Sequence, residues 1–228
     1  MDSPRKTALV AGVLYLLTFV SIPTLALYGP VRGRNYVTGD GPDTAAVVGG
    51  ALEVVVAFAC VGTAVTLFPI LKRQNESVAL GFVGARTLEG AAIIAGVACL
   101  LTVVTLRRTG AGADAVVSGQ VLVALYDRLF LLGQSLMPAV NALLLGSLLY
   151  RSRLVPRALP VLGFVGAPLL LAATLATMAG AVERDAPVVA LAALPIALWE
   201  LSLGIWLIAK GFRPSPLTST DRAADPAA

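Results

Sequence analysis

No histidine occurs among the 228 residues. The commonest metal ligand and the usual neutral-pH proton shuttle are missing with it, and a serine–histidine dyad is impossible. Charge is scarce as well. Asp, Glu, Lys and Arg make up 13% of the chain, where a soluble domain carries about 25%. With 57% hydrophobic residues and a mean hydropathy of +0.86, too little polar surface remains to clothe a water-soluble core. There are two cysteines, Cys60 and Cys99, both inside apolar runs. Counted along their helices they are offset by roughly 13 Å, too far for a disulfide. They read as small packing residues. HExxH, CxxC, paired-aspartate and glycine-rich phosphate-loop motifs are all absent, so no metal and no cofactor is expected. An enzyme would need a carboxylate-only or arginine-based site, which argues against one.

What the chain does have is long apolar runs. A membrane crossing needs about 20 apolar residues, and no strand-like alternation competes with the helical reading. Helices also satisfy their own backbone in lipid. Six spans are expected, at about 8–29, 44–71, 78–106, 120–150, 158–180 and 188–210. The chain thus reads as an all-α six-helix bundle over 1–210, followed by a disordered tail over 211–228 rich in Pro, Ser, Thr, Asp and Ala. The first span opens like a secretory signal, with Arg5-Lys6 and small residues at Thr24 and Ala26. Its length and the spans that follow favour an uncleaved anchor.

The net charge of +4 has a topological reading. Ten Lys and Arg lie at the N-terminus, second and fourth connections and tail; five lie in the remaining connections. This asymmetry predicts both termini in the cytoplasm. Neither a basic patch nor an aromatic platform points to nucleic acid. The excess of arginine over lysine, with abundant alanine, glycine and valine, fits a GC-rich bacterial genome and hence the bacterial cytoplasmic membrane. The loops opposite the termini are short and leave no room for a separate domain there.

Charge inside the spans is the sharpest signal, because it is expensive in lipid. Arg86 and Glu89 lie three residues apart on one face of the third span. Counting along the helices places Glu200 and Asn141 at the same depth, near the midplane. This layer is the candidate binding site or proton path. Two acids against one arginine leave a surplus carboxyl. A second polar set, Glu53, Asp127, Arg128 and Gln134, lies nearer the opposite surface. Asp127, Gln134 and Asn141 are spaced by seven and share a helix face, a stripe that joins the two levels if it points inward. Tyr28 and Tyr150 read as interfacial anchors, and Trp199 as packing.

Other features are local. Pro23, Pro69, Pro138, Pro168 and Pro195 punctuate the spans and are expected to bend them. LGFVGA occurs at 80–85 and again at 162–167. It pairs Gly81 with Ala85 and Gly163 with Ala167, small residues that let helices approach closely.

Leu67-Phe68-Pro69-Ile70-Leu71-Lys72, Ala79-Leu80-Gly81, Arg86-Thr87-Leu88-Glu89, the segment Tyr150-Arg151-Ser152-Arg153-Leu154-Val155-Pro156-Arg157 and Gly163 together resemble the bacterial domain-of-unknown-function 4386 family. The resemblance implies a multi-helix membrane protein. That family often has a histidine in its later spans, and this chain has none. Two functional readings follow from the residues. One is a permease-like carrier of a small solute or proton through the midplane layer. The other is a non-catalytic scaffold, sensor or partner-binding protein in the bilayer.

Overall fold

The structure is a computed structural model, and it describes residues 3–218. The distal part of the expected tail, 219–228, lies outside the described residues. All regular structure among the described residues is helical. The elements are α1 (Ser3–Leu17), a 3-10 turn (Thr18–Ser21), α2 (Thr24–Leu27), α3 (Thr44–Leu71), α4 (Glu76–Arg108), α5 (Ala115–Phe130), a π-helical turn (Leu131–Leu136), α6 (Met137–Ser152), α7 (Ala158–Met178) and α8 (Pro187–Ala209). They form six crossings that are long and apolar enough to span a membrane, bounded at Pro4–Leu27, Thr44–Leu71, Glu76–Arg108, Ala115–Ser152, Ala158–Met178 and Pro187–Ala209.

The crossings form a ring in chain order. Each packs on the next, and α8 closes the ring against α1. Arg5 fastens that closure by donating to the carbonyls of Leu207 at 3.0 Å and Ile208 at 2.6 Å, at the unpaired end of α8. The start of α1 and the end of α8 therefore share one face, called here the terminal face; the other is the distal face. Large apolar side chains such as Phe58, Leu88, Val165 and Leu198 point outward and are exposed, as lipid contact requires. The interior is filled by alanines, leucines, Phe82 and Trp199.

Close approach occurs where glycine allows it. A Cβ on Gly12 would stand 2.8 Å from the Gly204 carbonyl, and one on Gly90 would stand 2.9 Å from that of Ala57. Gly163 lies against the Trp199 indole, 3.2 Å from a built Cβ. Its counterpart Gly81 is exposed and meets only Leu144. The two LGFVGA segments therefore do different work.

Local sequence explains the ends and breaks. Asn75 caps α4 by accepting from the Val78 N–H at 3.0 Å. Arg107 and Arg108 sit in its last turn, where cations oppose the helix dipole. The sixteen residues of α6 end at Arg153, whose φ of 55° is left-handed. Leu154 and Val155 then turn inward and are fully buried, so the R-L-V-P-R segment is a packed plug between spans. Pro138 lacks the N–H that Gln134 would need as an α-helical partner, and the chain answers with the π turn just before it.

Lengths differ around the ring. α7 and α8, with 21 and 23 residues, barely span the hydrocarbon. α4 has 33 residues, and the continuous fourth crossing has 38. Its extra length corrects the expected span of 120–150. The connections on the terminal face are tight, so the excess projects from the distal face. There Tyr36 and Val37 of the loop at 28–43 pack with Val103, Val104 and Ala115 in a small second core. The short distal loops thus leave room for a cap after all, built from helix ends rather than from a separate domain.

Candidate functional site: two stacked acid sites and a chamber

Arg86 is the hub of the midplane layer and is 1% exposed. Its Nη1 donates to Glu89 at 3.0 Å and faces the Cys60 sulfur at 3.6 Å. Its Nη2 donates to Glu200 at 2.7 Å. The guanidinium also lies over the Tyr15 ring, 5.1 Å from its centroid. Asn141 donates its amide to Glu89 at 2.6 Å. Side chains from five of the six crossings therefore converge on this layer, and only α7 contributes none of these groups. Thr87 and Leu88, between the pair, face outward, because residues three apart share a face and those between do not. Arg86, Glu89, Asn141 and Glu200 are all brought together as one cluster.

The second polar set divides. Glu53 is fully buried, and three donors converge on it: Tyr28 at 3.2 Å, Tyr126 at 3.4 Å and Gln134 at 3.3 Å. It forms no salt bridge among the described residues. Tyr28 is 3% exposed, so its expected place as an interfacial anchor is corrected: its phenol turns inward because the carboxylate offers it a partner. Tyr150 instead lies half-buried between Arg157 and Phe164. Asp127 belongs to a separate ion cluster, bridging Arg32 at 3.1 Å and Arg184 at 2.8 Å. Arg128 is exposed and joins neither group, since one residue of helix turns it about 100° from Asp127.

Sequence reasoning missed Arg32, Arg184, Tyr126 and Ser135. The arginines come from loops, whose reach cannot be counted from helix rise. Tyr126 is adjacent to Asp127 and had a signal in that proximity. Ser135 is placed by the π turn, which sequence periodicity does not show.

Above Glu53, toward the distal face, lies a chamber of about 570 Å³. Tyr28, Tyr126 and Gln134 form its floor, and Arg32 and Arg184 stand at its rim. Arg184 lies over the Phe130 ring at 4.5 Å from the centroid. α2, α7 and α8 supply apolar walls. The residues lining this chamber do not include Arg86, Glu89, Asn141 or Glu200.

On the distal cap, Tyr36 donates to Asp43 at 2.6 Å, Arg108 does so at 2.6 Å, and Arg107 adds a further bond. The Tyr36 hydrogen bond above all holds the Asp43 carboxyl below its usual range; burial opposes it, and the two arginines lower it further. Burial, and then the same hydrogen bond, push the Tyr36 phenol up to about 12, so it remains a donor.

Searches among curated proteins and among solved structures find no match. A family model described as Domain of unknown function (DUF4386) matches residues 10–211, and the chain belongs to that family.

Proposed function

We propose that this multi-pass membrane protein is a permease-like carrier whose solute enters the distal chamber and whose proton is handled by Glu53. The observation that carries the reading is the chamber itself, seated on three donors that all hold one buried carboxylate with no salt-bridge partner among the described residues. Such an acid lacks the ion pair that locks Glu89 and Glu200 to Arg86. The Arg86–Glu89–Glu200 layer is a second station deeper in the bundle, linked to the first through the fourth crossing. The excess of Lys and Arg on the terminal face supports a cytoplasmic location for both termini. The chamber then opens to the outside of a bacterial cytoplasmic membrane.

A second reading has its own support. The midplane layer ties five crossings together and lies outside the chamber, as helix glue in a scaffold would. Proteoliposomes loaded with a pH-sensitive dye separate the two. Proton-linked flux of small acids or amines should be abolished by Glu53→Gln and slowed by Glu89→Gln or Glu200→Gln. Equal flux in all three variants and the native chain would remove the carrier reading and leave the scaffold.

A further inference from the structure

The chamber has a side as well as a mouth. On the terminal half α1 and α8 touch at Gly12 and Gly204. On the distal half α2 packs on α3, while α8 stays with α7. The chamber fills the V between them, lined by Thr24 and Leu25 on one wall and Val189, Ala190 and Ala193 on the other. Leu25 is 73% exposed, so this wall meets the lipid.

Its polar groups are mostly donors. Arg32 and Arg184 share one carboxylate, Asp127, and the Arg184 Nε also reaches Asp185 at 3.4 Å, an acid whose side chain is 74% exposed. The Arg32 Nε is buried and has no hydrogen-bond partner among the described residues. Ser135 lines the chamber at 7% exposure, and its hydroxyl makes no hydrogen bond among the described residues. An anion's polar contacts and an open apolar slot thus adjoin in one chamber.

We propose that the chamber takes an anionic amphiphile, with a phosphate or carboxylate head held by Arg32, Arg184 and Ser135 and a tail leaving between α2 and α8 into the lipid. This rests on reading the chamber as a solute site. It adds the solute's class and its route of entry, sideways from the bilayer. A proton on Glu53 beneath the head would offset the anion's charge.

Binding is measured without transport, by native mass spectrometry of the full chain released from maltoside micelles. The probes are lauryl phosphate, laurate, dodecyltrimethylammonium and inorganic phosphate. Lauryl phosphate and laurate should bind at least about tenfold more tightly than the other two. Ser135→Ala removes only a hydroxyl that makes no hydrogen bond among the described residues, so the fold should persist while affinity falls about tenfold. Ala193→Phe should weaken the tailed anions and leave inorganic phosphate unchanged. Equal binding of inorganic and lauryl phosphate would overturn the lipid-side entry. Preference for the quaternary ammonium, or indifference to both substitutions, would overturn the anion site. Binding as expected without any flux would instead count against the carrier reading alone.

Discussion

Gln134 and Asn141 stand seven residues apart on the fourth crossing, and each gives its amide to a different buried acid: Gln134 to Glu53 at 3.3 Å, Asn141 to Glu89 at 2.6 Å. One helix therefore supports both acid sites. The two amides are not equivalent. Asn141 supplies the shorter bond, whereas Glu53 keeps two tyrosines when Gln134 is lost. Asn141→Ala should cost about 1.5–3 kcal/mol, the range for a hydrogen bond to a charged group. Gln134→Ala should cost less. Unfolding in detergent, followed by tryptophan fluorescence, gives the comparison, and the reverse order would contradict it.

Arg86 neutralises two acids at once, so its loss strands both. Arg86→Met alone should destabilise by about 3–5 kcal/mol. Replacing the cluster together, as Arg86→Met, Glu89→Leu, Asn141→Leu and Glu200→Leu, should recover most of that loss, because no buried charge is then left unpaired. Failure of the combined variant to recover would mean that the layer contributes more than charge balance.

Asp43 predicts an acid-sensitive distal cap. Its folded carboxyl is held below the usual range, so the native state binds fewer protons than the unfolded chain. The resulting stability is complete above the unfolded value of about 3.9 and is lost as pH falls through the depressed one. The difference in Tm between the native chain and Asp43→Asn should hold steady from about pH 8 to pH 5 and narrow below about pH 4. A gap that widens in acid would refute the assignment.

Two glycines should respond oppositely to alanine. Gly84 has nothing within 4 Å of a built Cβ, whereas Gly12 would drive one to 2.8 Å from the Gly204 carbonyl. Gly84→Ala should be neutral or stabilising by up to about 1 kcal/mol through helix propensity. Gly12→Ala should destabilise the α1–α8 seam by roughly 1–3 kcal/mol. Thermal unfolding of both variants tests this, and a stabilised Gly12→Ala would count against the seam.

The midplane cluster was legible because depth along a helix is linear. Counting residues put Arg86, Glu89, Asn141 and Glu200 at one level, and the cost of charge in lipid required them to meet. The same counting linked Gln134 to the upper level. It failed for Arg128, whose neighbour Asp127 faces the rim while it faces away. It could not reach Arg32 or Arg184, whose positions depend on loop paths. Tyr28 was misplaced because a tyrosine at a helix end usually meets the interface, and the pull of Glu53 appears only once α3 is packed beside it. The cap at the distal face was hidden for a similar reason: short loops were visible, but the overhang of α4 and α5 was not.

The placement of Glu200 on the final crossing bears on how the chain is made. During synthesis the third crossing emerges with Arg86 already beside its own neighbour, Glu89, three residues away. That local partner lowers the penalty of entering the bilayer before anything else is present. The second acid arrives only when α8 is complete, more than a hundred residues later. A ribosome stalled before residue 200 would leave the guanidinium half-satisfied and the ring open, a state that membrane quality control could recognise.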